Sequence, residues 1–539
     1  MKKFLSVVSL LMALMMLCTS ALANEQKYDE PVMVHFVRST DDTLDANYFS
    51  QHPDKTMTDN LWCDLFRDEL NINVEYDWIV KSGDEYNQKL AAELAVGAIP
   101  EFVNVTALQA KQLYEAGLIM PLDEIYNEYA TEQTKRVMLE TGTSPFDAVT
   151  FDGQLYALPV VDATLMIADL MWIRTDWLEK LNLPVPTTMD ELIATAKAFA
   201  EADFDGNGVN DTIGMAVSKT PWDQLFTLKG FFNAFDSYPE IWVDDGTGKL
   251  VYGSTLPGTK DALATLHQMY VDGLLDPEFA VKDDGKVAEA TTSGKCGIMF
   301  GAQWNSIYPL QNSKNLEPEG QWQAFPIVTA TDHKAKAQTD VGTTAWTVVR
   351  KDCEHPEAVV KMYNLFIDKC WGPNNENGVY YAPLDSESIW KLSPVTPTKP
   401  DKNLKAFLDL EAARQSGDFS QVTGEGYSIL QKLQAFESGS EEGFALWGWE
   451  RIYGAEGAYG VLNYYQENNL TQDMMFVGAP TESMTLYMSY LKDLQNETFV
   501  KIITGEETID AFDQFVENFY ANGGDAITEE VNAWYASLK

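Results

Sequence analysis

At 539 residues, of which 45% are hydrophobic and 12% aromatic, the chain is too long for one compact core and too apolar for disorder; it calls for several domain-sized units or two large lobes. Lys and Arg number 38 against 81 Asp and Glu, a formal charge of −43. Such a field repels nucleic acid and anionic lipid headgroups, which excludes nucleic acid as a partner, and it keeps a protein soluble and monomeric.

The chain opens with a targeting pattern. Lys2 and Lys3 precede an apolar run from Phe4 to Leu17, and Ala21-Leu22-Ala23 leads into polar Asn24. That order describes a secretory signal peptide, residues 1–23, cut after Ala23. The run of about 14 residues is shorter than the ~20 needed to span a bilayer. The competing reading is acylation of Cys18. Its recognition favours a small residue just before the cysteine, and Leu17 stands there, so free export is expected and a lipid anchor disfavoured. No second apolar segment approaches spanning length.

In chain order, Val32–Val37 (VMVHFV) reads as a buried strand and Asn60–Leu70 (NLWCDLFRDEL) as an amphipathic helix. INVEYDWIV resumes a strand, Tyr86–Val96 is helical with Gly97 as its stop, and PEFVNV is the next strand. Strands alternating with helices predict βαβ units and a mostly parallel sheet, with ligands beyond the strands' carboxyl ends, which singles out Asn104, Val105 and Thr106. The stretch 109–130 (QAKQLYEAGLIMPLDEIYNEYA) reads as helical and Gln154–Pro159 as extended. A second alternating run covers about 165–340, GTTAWTVVR (342–350) is a strand, and 400–539 is largely helical by pattern. No repeat or low-complexity linker interrupts the chain. The expected organisation is one lobe at 24–160 with 342–395 returning to it, and a second at 161–341 with 400–539 packing mainly on it. ALPV (157–160) and GTTAWTVVR are the candidate crossings.

After processing, Cys63, Cys296, Cys353 and Cys370 remain, too few for a stapled framework. Cys353 and Cys370 flank a helical stretch, PEAVVKMYNLFID (356–368). At 1.5 Å rise per residue it would hold their Cα atoms about 20 Å apart, beyond the ~7 Å a disulfide tolerates.

Several passages together resemble the large extracellular solute-binding proteins of ABC importers, the oligosaccharide-binding group with alginate-binding and LplA-like lipoprotein members. They are GQLYALPV (153–160), WIRTDWLEKLNLPVPTTMDELIATAKAFAEADFDGNGVNDTIG (172–214), YVDGLLDPEF (270–279), GKCGIMFG (294–301), PTESMTLYMSYLKDLQNETFVKIITGEETIDAFDQFVENF (480–519) and ITEEVNAWY (527–535). They keep their order over nearly the whole mature chain. The resemblance implies a type II periplasmic-binding-protein fold: two α/β lobes with hinge crossings and a helical C-terminal region, closing on a sugar. It implies an extracytoplasmic, non-enzymatic protein, in the periplasm or at the cell surface, that delivers an oligosaccharide to an ABC permease.

One motif carries metal chemistry. Thr188-Met-Asp-Glu191 is a capping box opening a helix, and the loop after that helix begins at Asp203. Asp203, Asp205, Asn207 and Asp211 fall at positions 1, 3, 5 and 9, Gly208 at 6, and the Val209 carbonyl at 7, the spacing of an EF-hand Ca²⁺ loop. Gly214 stands at position 12, where an EF-hand supplies a bidentate Glu. The resembling family carries a loop that also lacks this Glu and uses a side-chain oxygen at position 10, here Thr212. The bland alternative is an uncoordinated Asx-rich turn. Three acids packed this closely repel without a cation, so a structural Ca²⁺ is expected.

A sugar site needs flat aromatics for its C–H faces and amides or carboxylates for its hydroxyls. The candidates beside glycines or polar amides are Tyr156, Trp172, Trp222, Trp304 with Asn305, Trp346, Trp371, and Trp449 and Arg451 next to Trp447. Core packing is the competing reading for any one of them; two or three are expected to line a cleft. Catalytic motifs are missing: His35, His52, His267, His333 and His355 are scattered, with no HExxH, CxxC, G-x-S-x-G or phosphate-cradling loop. A glycosidase needs only two carboxylates, so a secreted glycoside-acting enzyme stays open, as does a peptide-binding receptor on the same scaffold.

Overall fold

The computed structural model describes residues 26–40, 44–81, 83–140, 144–202, 204, 208–209, 211–373, 375–381, 383 and 389–538. They form two compact units: one holds the chain up to Asp162 and again from Thr344 to Lys399, the other Ala163–Thr343 and the chain from Pro400 onward. The signal segment, including Cys18, lies outside the described residues.

In the first unit, strands Val32–Ser39 and Ile72–Val80 pair in parallel, Val32 opposite Ile72. Helix Leu61–Leu70 forms the crossover between them that a parallel pair requires. Asn60 starts it, its Oδ1 accepting from the N–H groups of Trp62 and Cys63 at 3.0 and 3.2 Å, and Asn71 in the left-handed region ends it. The helix buries Trp62, Leu65 and Phe66, and Trp62 stacks on Phe366 of helix Ala358–Trp371 with ring centroids 4.7 Å apart. A three-stranded sheet follows, with Thr343–Val349 between Phe102–Val105 and Ala157–Val161.

The core strand of the second unit is Leu170–Arg174, buried at all five positions. Ile298–Gly301 and Trp322–Phe325 flank it, both antiparallel. Helix Met189–Ala200 opens with the capping box formed in both directions between Thr188 and Glu191. From Pro400 the regular elements are helices apart from the short strand Thr471–Asp473, and the longest of them, Glu482–Thr504, packs along Pro257–Val271.

Two expectations need correction. The sheets are not mostly parallel, because Phe102–Val105 runs antiparallel to Thr343–Val349 and both neighbours of Leu170–Arg174 run against it. A short apolar run signals burial and carries no direction, and long connections can arrive from either end. The stretch 109–130 is not one helix but Ala107–Glu115 and Asp123–Tyr129. Gly117 adopts φ 64° between them, and Pro121 has no N–H and disfavours helical geometry at Met120. Thr106 caps the first piece, receiving the Gln109 N–H at 3.2 Å while Gln109 Oε1 accepts from the Thr106 N–H at 2.9 Å. Among the described residues, Cys63, Cys296, Cys353 and Cys370 are not joined in disulfides.

Candidate functional site

Strand Ile298–Gly301 delivers the chain into a single 3-10 turn, Gln303–Ser306. Gly301 leaves room there: a Cβ on it would lie 1.9 Å from Asn305 Oδ1 and 2.9 Å from the Gln224 carbonyl oxygen. Asn305 is therefore tucked back over the strand end, fully buried. Neither Asn305 Oδ1 nor Nδ2 has a hydrogen-bond partner among the described residues, and nor does Gln303 Oε1. Each such buried group costs about 1–3 kcal/mol, an expense natural folds rarely tolerate without a reason.

The loop at 218–228 runs beside this turn. Gln224 accepts the Ala302 N–H at its carbonyl (2.9 Å), and its side-chain Oε1 accepts from Trp304 Nε1 (2.9 Å). Trp304 is half-buried, as a stacking platform must be. Trp222, also half-buried, donates through Nε1 to Asn496 Oδ1 on helix Glu482–Thr504 (2.6 Å). Its ring meets Phe232 and Phe499 edge-on at 5.3 and 6.1 Å, which locks its orientation. In the same loop Phe226 holds φ 52°, a conformation a bulky residue adopts only when its surroundings impose it.

On its other side the turn is fastened to helix Trp447–Tyr453. Ser306 Oγ donates to the Gly448 carbonyl and Gly448 N–H to Gln311 Oε1, both at 2.8 Å. A Cβ at Gly448 would sit 2.7 Å from the Ser306 carbonyl oxygen, so only glycine permits this approach. Trp449 is half-buried and stacks on Tyr453 (6.0 Å), which stacks on Tyr459 (5.1 Å). Arg451 Nε donates to Glu450 Oε2 at 2.6 Å, and Trp447 is fully buried. Trp222, Trp304, Asn305, Trp449 and Arg451, far apart in sequence, thus sit on hydrogen-bonded neighbouring segments of one unit.

Charged groups of both signs lie around them. Protein packed around the Asp223 carboxyl, and then Asp284, raises it above the ordinary carboxylate range, with Lys229 partly offsetting them. Glu240 accepts from Lys492 at 3.0 Å.

The remaining candidates are placed differently. Trp172 is a core residue: it is fully buried mid-strand, and its Nε1 donates to the Ala302 carbonyl at 3.1 Å, propping the turn from beneath. Tyr156, Trp346 and Trp371 belong to the first unit. Tyr156 is half-buried, edge-on to Tyr114 at 4.6 Å. Trp346 is 8% exposed and donates to the Pro145 carbonyl at 2.7 Å. Trp371 is half-buried and donates to the Pro397 carbonyl at 3.3 Å. Asn104 and Thr106 serve the scaffold, Asn104 Oδ1 accepting the Thr347 hydroxyl at 2.7 Å and Thr106 capping its helix. Sequence reasoning missed Gln224 and Gln303, although each lies within two residues of a candidate tryptophan.

Of the acidic loop, Asp203, Asp205 and Asn207 lie outside the described residues. Phe204 anchors its start by stacking on Trp177 at 3.9 Å and 9°. Gly208 adopts φ 74°, and the Thr212 hydroxyl donates to the Ala202 carbonyl at 3.2 Å. Asp211 accepts from Lys295 Nζ at 2.5 Å. Among the described residues no group of three or more His, Cys, Asp and Glu is placed to hold a metal ion, and no helix is long and apolar enough to cross a membrane.

Comparison with known proteins finds a family model, that of the bacterial extracellular solute-binding protein, matching residues 55–369. Lipoprotein LipO of Bacillus subtilis is 24% identical over 490 residues, covering 86% of this chain and 87% of that protein. The polygalacturonan/rhamnogalacturonan-binding protein YtcQ of the same organism is 23% identical over 495 residues, covering 87% and 86%. Among solved structures, an EF-hand mutant of the S. pneumoniae ABC-transporter substrate binding protein FusA, in complex with fructo-nystose, matches with a TM-score of 0.64 at 14% identity. It covers 94% of this chain and 99% of that one, a likeness of fold.

Proposed function

The chain belongs to the bacterial extracellular solute-binding protein family, and on that premise we propose that it captures an oligosaccharide and hands it to the permease of an ABC importer. Its fold is the α/β, type II periplasmic-binding fold, and the family and its structural neighbours are binding proteins rather than enzymes. The observation that carries the sugar reading is the turn at Gln303–Ser306. It combines a half-buried indole at Trp304 with the buried, unpartnered amide of Asn305, one apolar face beside one donor–acceptor pair. Trp222 and Trp449 extend the platform. The names of YtcQ and the FusA complex, matched along most of their lengths, support it.

The family is extracellular, so the protein works outside the cytoplasm. Export follows cleavage after Ala23, with Cys18 lost, and the protein acts as a monomer without catalysing a reaction. Ca²⁺ is held by Asp203, Asp205, Asn207, the Val209 carbonyl and Asp211. The left-handed Gly208 and the Thr212 hydroxyl, whose proton is engaged at Ala202 so that its lone pairs stay available, support this. Asp211 would exchange its Lys295 partner for the ion. The cation's part is to neutralise the loop's carboxylates and pin it.

Thermal shift against a saccharide panel tests the capture reading. A sugar at 100 times its Kd stabilises the fold by about 2.7 kcal/mol. Absence of a shift with any saccharide would refute it, and release of cleavage products would favour a glycoside-acting enzyme.

A further inference from the structure

Resting on the oligosaccharide reading, we infer that the sugar taken at the Trp222–Trp304–Trp449 platform is neutral and that uronic-acid oligomers are excluded. A uronate brings a negative charge on every ring and is met by a cation, best by an arginine fork. Three of the cations around this platform, Arg451, Lys492 and Lys314, already serve the protein's own acceptors. Arg451 is bound to Glu450 through Nε at 2.6 Å, with its plane over Trp447 at 5.9 Å. Lys492 is bound to Glu240 at 3.0 Å. Lys314 donates to the carbonyls of Pro318 and Gly320 at 2.6 and 3.1 Å. Lys432 is fully buried, its ammonium 4.5 Å from the centre of the Trp449 ring. Lys229 faces Asp223 and Asp169.

Carboxylates are interspersed with these cations. Asp223 directly follows the platform residue Trp222, with Asp284 and Glu240 in its electrostatic neighbourhood. Within the turn, the buried polar groups without a partner among the described residues are uncharged: both ends of the Asn305 amide and Gln303 Oε1. An amide donates and accepts, as a sugar hydroxyl does, but offers a carboxylate no countercharge. The overall charge of −43 adds long-range repulsion toward any polyanion.

The test is calorimetry with neutral tri- and tetrasaccharides of glucose, fructose and xylose against trigalacturonate and trimannuronate. A neutral sugar is expected to bind about a hundredfold or more tighter than either uronate, and its affinity should barely change between about 50 and 500 mM NaCl. Asp223→Lys is expected to raise uronate affinity about tenfold. Wild-type binding of a uronate as tight as that of the best neutral sugar would overturn the inference while leaving saccharide capture standing. Unchanged uronate affinity in Asp223→Lys would overturn the role given to this carboxylate cluster. Binding of no saccharide from either class would sink the oligosaccharide reading itself, and this inference with it.

Discussion

Truncating Trp304 separates a ligand platform from a packing residue. Trp304 is half-buried and held by a single 2.9 Å hydrogen bond to Gln224. Trp304→Ala removes part of an indole's buried area and frees Gln224 Oε1 to water, a stability cost of about 1–2 kcal/mol. If the ring stacks on sugar, the same change weakens binding by about 2 kcal/mol or more, roughly thirtyfold in Kd. The internal comparison is Trp172→Ala. That ring is fully buried mid-sheet, and its loss should cost about 3–5 kcal/mol of stability. Calorimetric melting and titration with the bound sugar, run on both variants, give the two quantities directly. Comparison of the two variants in one assay is needed because a protein of two units need not unfold in one step. A Trp304→Ala protein destabilised as much as Trp172→Ala, yet with intact affinity, would refute the platform.

Chelation should lower the melting temperature, and Asp203→Ala should abolish that sensitivity; unchanged melting in chelator would rule out structural Ca²⁺. Asp169 is fully buried, with Oδ2 accepting from the Gly230 N–H at 2.7 Å and burial raising its pKa to about 7. The folded state then binds more protons than the unfolded chain between about pH 4 and 7, so its contribution is present at low pH and lost as pH rises through 7, by up to about 4 kcal/mol. Asp169→Asn should flatten that part of the pH–stability curve, and an identical slope in both proteins would contradict the assignment. Gly301→Ala, whose Cβ would fall on Asn305, should cost about 1–3 kcal/mol of stability and displace the amide from the site, lowering sugar affinity; wild-type melting and affinity would show that Asn305 sits elsewhere.

The chain's local elements were legible because their signals are local. The helix at Asn60–Leu70 and the Thr188–Glu191 box depend on residues within a few turns of each other, and both form as read. The over-long helix at 109–130 was a misreading of signals that were present, Gly117 and Pro121. Strand direction was not legible, because Leu170–Arg174 meets its partners Ile298–Gly301 and Trp322–Phe325 only after long excursions of chain. The tryptophans make the same point. Trp172 and Trp304 are one residue type beside two paired strands, yet one is sealed beneath Ala302 and the other reaches Gln224 half-exposed. Composition and ordered motifs determined the family resemblance and the expectation of an exported binding protein. Only the tertiary structure decided which aromatics are sealed in the core and which stay half-exposed, because burial is set by what arrives from elsewhere in the chain: the loop at 218–228 and the Trp447–Tyr453 helix, brought to the Gln303–Ser306 turn by hydrogen bonds that no local pattern encodes.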